Sequence, residues 1–262
     1  MADDDGPNGW IVTDALLLQA AIFTAATVSG LTGFAFALVA AGIVFHLRSP
    51  ADATALILMG SFLAQVMSLL RLRQRVAWAD LWPFLAAGVI GAPVGSLALG
   101  HLYPGTVRLG IGLFLSFYAL YAMRLPVTYV SPLAGRLSDA IVGFLSGVLG
   151  GIAGLSGALM TAWCLMRGWE PARQRAVFQS FILVMQAYSL MSLALVVGIS
   201  QHSLIDLAIT GPVMIAGVVI GLWLFSKING ARFRWLVLWL LLVLGVVLTI
   251  SEISAMLTSH PG

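Results

Sequence analysis

Five stretches of the chain contain no Asp, Glu, Lys or Arg: 15–47, 81–107, 140–166, 176–205 and 207–226. A largely apolar run of roughly 18 or more residues is long enough to cross a hydrocarbon core about 30 Å thick. Repeated runs of this kind in 262 residues predict an all-α polytopic membrane protein. The composition agrees. Charged residues make up 9% of the chain, against about a quarter in an ordinary soluble domain.

The same sparseness excludes other classes. Cys164 stands alone, and His46, His101, His202 and His260 are scattered at segment ends. No metal cluster and no cofactor is expected from them. The Lys and Arg residues are spread between apolar segments rather than clustered, which speaks against nucleic acid as a partner. The start, Met-Ala-Asp-Asp-Asp-Gly-Pro, is acidic and lacks the basic opening of a secretory signal, so it is expected to be retained. Too little chain lies outside the apolar segments for a soluble catalytic domain.

Eight apolar segments are apparent, at about 12–47, 51–70, 78–101, 106–124, 139–166, 174–199, 204–226 and 235–257. Most suit one crossing. The first and fifth do not. As one helix, the run 15–47 would extend roughly 50 Å at about 1.5 Å per residue. That is too long for one crossing and short for two. Both segments are interrupted by glycine, at Ser29-Gly30-Leu31-Thr32-Gly33-Phe34 and between Ser146 and Gly157.

The basic residues choose between topologies, because Lys and Arg concentrate on the cytoplasmic side. With eight single crossings and the N-terminus outside, 8 of the 13 basic residues fall inside and 5 outside. If the first and fifth segments instead fold back as hairpins, only Arg48 and Arg108 remain outside and 11 of 13 face the cytoplasm. The hairpin arrangement is the better one. Each half then becomes a broken or re-entrant hairpin followed by three transmembrane helices. Three is odd, so the second half is inverted relative to the first, as in many transporters.

Internal similarity supports the duplication. Gly91, Gly95 and Arg108 recur as Gly217, Gly221 and Arg234, all at an offset of 126. Ser29-Gly30-x-x-Gly33 matches Ser146-Gly147-x-x-Gly150 at an offset of 117. Pro50 resembles Pro171, and Gln65 resembles Gln186. The expected organisation is an acidic tail (1–11), a first repeat (12–125), a cytoplasmic linker (126–138) and a second repeat (139–258).

The glycine clusters carry the functional expectation. A helix-interior glycine costs about 1 kcal/mol against alanine, so these runs disfavour unbroken helices. Broken backbone at membrane depth survives only where protein or a water-filled cavity surrounds it. Helix N-termini at such breaks offer free N–H donors and partial positive charge, which suits an anion. The candidate substrate-binding residues are Ser29, Gly30, Thr32, Gly33, Phe34 and Gln65 in the first half. In the second half they are Ser146, Gly147, Gly150, Gly151, Gly154, Ser156, Gly157 and Gln186. Gly91/Gly95 and Gly217/Gly221 read instead as close helix packing by small residues.

Asp14, Asp52, Asp80, Asp139 and Asp206 lie near segment starts and are expected to cap helices. No carboxylate occupies a segment centre, which disfavours a carboxylate proton relay. The amides Gln19, Gln65, Gln179 and Gln186 would be costly in hydrocarbon without partners. Most arginines read as loop anchors, with Arg167, Arg173 and Arg175 also placed to draw anions electrostatically. Trp78, Trp82, Trp163, Trp169 and Trp235 read as interface aromatics, and Trp163 alternatively as a site residue.

The paired motifs, Ser29-Gly-Leu-Thr-Gly-Phe34 and Gly143 through Gly157, with the turns at Pro50 and Pro171 and Gly91-x-x-x-Gly95, resemble the TauE/SafE sulfite exporter family of the 4-toluene sulfonate uptake permease superfamily. The resemblance spans about 20–235. It implies a secondary transporter exporting sulfite, sulfoacetate or a related sulfonate across the cell membrane by alternating access. It implies no enzyme activity. Where the family often has further glycines after Phe34, this chain has Ala35, Phe36 and Ala37, a change in site width. The expected partners are a small anion and the lipid bilayer, with a homodimer left open. Alternatives are a carrier of a carboxylate or neutral metabolite, or a membrane-embedded enzyme. The last would need a nucleophile–base pair or metal cluster that the spans do not offer.

Overall fold

The computed structural model describes residues 7–72, 78–98, 104–125, 133, 135–153, 156–196 and 198–258. These form ten helices: α1 (Pro7–Thr32), α2 (Phe36–Leu47), α3 (Pro50–Leu72), α4 (Trp78–Ala98), α5 (Pro104–Met123), α6 (Arg136–Ala153), α7 (Ser156–Met166), α8 (Pro171–Val196), α9 (Gln201–Lys227) and α10 (Gly230–Thr258). The first and fifth apolar segments are each two helices, α1–α2 and α6–α7. The other six segments are one helix each. The second arm of each pair is short, at 12 residues for α2 and 11 for α7. At about 1.5 Å per residue each spans roughly half of a hydrocarbon core. This resolves the awkward length of those segments. The protein is a polytopic all-α membrane protein, with five helices long and apolar enough to cross a bilayer among the described residues.

The chain divides into two compact units. The first comprises Met1–Leu72 with Gln186–Lys227, and the second Arg73–Met185 with Ile228–Gly262. Each unit therefore draws helices from both halves of the sequence. In the first, α1 packs on α9; in the second, α6 packs on α4 and α5 on α10.

Glycine makes these approaches possible. A Cβ at Gly91 would overlap the carbonyl oxygen of Phe144, and one at Gly95 that of Val148. On the other side, a Cβ at Gly221 would overlap the carbonyl oxygen of Thr27, and one at Gly217 would lie 2.7 Å from that of Phe23. Lipid supplies no hydrophobic drive between helices, so such backbone-close packing is a main source of association. The packing reading of these four glycines holds.

These contacts also correct the register of the duplication. Phe23 and Thr27 correspond to Phe144 and Val148 at an offset of 121. So do the helix ends Thr32 and Ala153, Pro50 and Pro171, and Gln65 and Gln186. The offset of 117 between the Ser-Gly motifs is one helical turn short. Glycines recur about once per turn in α6, at Gly143, Gly147 and Gly151, so a one-turn slip still matches Gly30 to a glycine.

The acidic residues do not act as expected. Among the described residues the side-chain N-caps are Ser49, Ser200 and Asn229. They accept from the backbone N–H groups of Asp52, Ser203 and Arg232 at 3.2, 3.1 and 2.9 Å. The aspartates hold side chains instead. Asp206 accepts a two-point bond from Arg48, at 2.6 Å from Nε and 3.0 Å from Nη2. Asp80 accepts one from Arg173, at 2.9 Å to each oxygen. Asp80 and Asp206 share the 126 offset of the packing glycines, whereas their arginines, Arg173 and Arg48, are 125 residues apart, so the clasps themselves emerge only in the fold.

Candidate functional site

The first break is built in the first unit. Helix α1 stops because Gly33 adopts φ +93°, a conformation open to glycine without a Cβ penalty. Its N–H donates to the Ser29 carbonyl at 2.6 Å. Gln65, on α3 and 1% exposed, donates from Nε2 to the Gly33 carbonyl at 2.8 Å. That bond satisfies the carbonyl that the break would leave open. Helix α2 then starts at Phe36 with Ala35 as its N-cap, which makes no side-chain cap bond, and with no acid in its first turn. Phe34, Ala35 and Phe36 are all buried. The first N–H groups of a helix have no intrahelical partner. This end is therefore a buried, uncapped, partially positive terminus.

A hydroxyl on α3 and an amide on α8 pair one turn away from Gln65. Ser61, one turn before Gln65, accepts a hydrogen bond from Nε2 of Gln186. The Oε1 atoms of Gln65 and Gln186 are buried with no hydrogen-bond partner. Of the predicted first-half residues, Ser29, Thr32, Gly33, Phe34 and Gln65 surround this break. The Thr32 hydroxyl is committed to the Val28 carbonyl at 2.8 Å. Gly30 faces α9, where an added Cβ would lie 2.6 Å from the Val218 carbonyl oxygen. Gln186 belongs to this unit through Ser61, rather than to the second break.

The second break lies in the second unit, between Ala153 and Ser156. Gly154 falls outside the described residues. Gly150 faces Ser156, where a Cβ would come within 2.9 Å of the serine Cβ. Ser156 is buried, and Gly151 and Gly157 are half-buried. Ser146 is 0% exposed, and its hydroxyl has no hydrogen-bond partner. Gly147 is pressed against α4, where an added Cβ would overlap the Gly88 carbonyl oxygen.

At the other end of the α6–α7 pair from this break, near the start of α6 and the end of α7, is a charged network that the sequence did not reveal. Asp139, 2% exposed, accepts from Trp163 Nε1 at 2.8 Å and pairs with Arg167 at 3.3 Å. Trp163 is thus a partner of an acid in its own unit. Arg167 and Arg173 both lie over the Trp169 ring, at 4.8 and 5.0 Å, within the range of cation–π attraction. Arg173 carries the chain on to Asp80. Trp78 and Trp82 are exposed, in keeping with interface aromatics. Among the described residues no group of His, Cys, Asp and Glu could hold a metal.

Paired broken helices with buried polar backbone define a helical membrane transporter class. The chain matches the family described as Sulfite exporter TauE/SafE over residues 18–248. It belongs to that family, whose members are transporters of sulfite and related sulfur compounds. No curated protein and no solved structure matches it significantly.

Proposed function

We propose that the protein exports a small organosulfur anion, such as sulfite, sulfoacetate or a related sulfonate, across the cytoplasmic membrane by alternating access. The observation that carries this reading is the buried start of α2, which has no side-chain cap and no acid in its first turn. Such an end favours an anion. The Gly33 carbonyl is already taken by Gln65, which leaves the N–H groups at the start of α2 as the backbone groups facing this break.

The candidate substrate-binding residues are, in the first unit, Ser29, Thr32, Gly33, Phe34 and Gln65, with Gln186 beside Ser61, and, in the second unit, Ser146, Gly150, Gly151, Gly154, Ser156 and Gly157. Gly30 and Gly147 support the breaks by letting α9 and α4 approach. The two repeats have inverted topology, with the N-terminus outside. Export needs no carboxylate relay. A monoanion leaving a negative interior gains about 2.3 kcal/mol per 100 mV, roughly a fiftyfold gradient.

The test is flux of sulfite and of a sulfonate in proteoliposomes under an imposed potential. Wild type should move both, faster when the driving side is negative. Gln65→Glu places a carboxylate at the break and should suppress anion flux. Flux of a neutral solute or a cation in place of the anions would overturn the reading.

A further inference from the structure

The Gln65 amide is only half used. It lies inside the candidate span Ala51–Arg71 and is 1% exposed. Its Nε2 is fixed by the Gly33 carbonyl at 2.8 Å. A carbonyl only accepts, so the amide must present its nitrogen there and cannot be turned round. Its oxygen, on the same carbon, is thereby held beside the first break, and it has no hydrogen-bond partner. A buried acceptor without a partner costs free energy, and at membrane depth no bulk water relieves it.

The neighbouring hydroxyls are otherwise engaged. Thr32, at the end of α1, donates to the Val28 carbonyl at 2.8 Å. Ser61, one turn along α3, is bonded by Nε2 of Gln186, whose Oε1 is also buried and unpartnered. A hydroxyl can donate as well as accept, so the Gln186 amide is free to reverse. Gln65, held by a carbonyl, is not. It is the fixed acceptor at this break.

The break therefore offers both polarities. The start of α2 presents N–H groups with no side-chain cap and no intrahelical partner, which favour an anion. Gln65 Oε1 asks for a donor. A fully deprotonated oxyanion, or a sulfonate on a plain alkyl chain, satisfies the first and sets its own oxygens against the second. A metal cation satisfies the amide oxygen and is repelled by the helix terminus. A monoanion that carries its own O–H or N–H satisfies both.

We propose that Gln65 Oε1 is the specificity-determining acceptor of the transporter, and that its substrate is an oxyanion bearing its own O–H or N–H donor. This rests on the anion-transport reading above. Sulfite fits only as hydrogen sulfite, so the proton crosses on the substrate rather than along a side-chain relay.

The test uses the full-length protein in proteoliposomes with a matched pair of probes, hydroxyethanesulfonate and propanesulfonate, which differ by a hydroxyl in place of a methyl. At low concentration wild type should move the hydroxylated probe roughly five- to hundredfold faster, the scale of leaving a buried acceptor unpaired. Sulfite flux should fall as the pH is raised through the range where hydrogen sulfite loses its proton, while hydroxyethanesulfonate flux stays level. Gln65→Leu should bring the ratio of the two probes close to one. Both probes are read on the same protein, so a lower folded fraction does not move that ratio. If the variant does not fold, the wild-type ratio and pH profile decide.

Equal flux of the two probes in wild type would overturn this inference and leave anion transport standing. So would a Gln65→Leu protein that keeps the wild-type ratio. So would added Na+ that raises propanesulfonate flux to the rate of its partner, which assigns the amide oxygen to a cation. If wild type moves no anion at all, the transport reading falls first, and this inference with it.

Discussion

The break after α1 and the break after α6 begin at positions 121 residues apart, Thr32 and Ala153. Each leans on a helix from the other half of the sequence, α1 on α9 and α6 on α4. The glycine contacts are equivalent, with the same carbonyls filling the same gaps. The side chains around them are not. In the first unit an amide, Gln65, secures the broken backbone. In the second unit the described residues show no such amide bond at the break, and the polar contacts lie instead at the start of α6, where Asp139 is enclosed by Trp163 and Arg167. Backbone packing tolerates almost no change at a glycine contact, whereas a side chain on the far face of a helix is free to diverge. The pair therefore retains one scaffold with two chemistries.

The sharpest way to break this comparison is at the shared scaffold. Gly95→Leu and Gly221→Leu should both abolish the monodisperse peak in size-exclusion chromatography, because each drives a side chain into backbone that cannot move. If only one did so, the two packings would not be equivalent. Next in size is Gln65→Leu, which leaves the Gly33 carbonyl buried and unpaired. That should cost about 1–3 kcal/mol, seen as a lower melting temperature in detergent. Gln186→Leu should cost less, since its partner Ser61 keeps a hydroxyl free to rotate to another acceptor.

The clasps give a third comparison. Arg48 and Asp206 have side chains 27% and 13% exposed, and Arg173 and Asp80 have 52% and 17%. The Arg48 pair is better shielded from solvent screening. Asp206→Asn should lower the melting temperature more than Asp80→Asn does, and added salt should narrow the gap. The smallest effect has the opposite sign. Gly42 lies within α2 with nothing near a would-be Cβ. Gly42→Ala should raise stability by up to about 1 kcal/mol and leave flux unchanged. A loss of flux there would show that α2 needs its flexibility.

Much of this was legible before any coordinates. Charge-free runs gave the class, glycine clusters marked where helices break, and the 126 offset located the packing helices. The Ser-Gly match at 117 misled by one turn, because glycine spaced by a turn matches itself after a slip. The aspartates misled because an acid near a segment start looks like a cap. Only the fold shows that Asp206 meets Arg48, 158 residues away in sequence. The full burial of Arg175 was hidden for a related reason, since a short Arg-rich stretch reads as a loop anchor whether or not the next helix draws it inward.

The sequence by itself determined that the chain lives in a bilayer, that it is helical, and that two of its segments must break. Those follow from local quantities: hydropathy, length and the cost of glycine in a helix. The tertiary structure alone decided which polar groups meet: Gln65 with Gly33, Gln186 with Ser61, Asp139 with Trp163 and Arg167. In an apolar medium every buried polar group needs a partner, and the partner comes from whichever helix packs against it, not from the neighbouring residues in the chain.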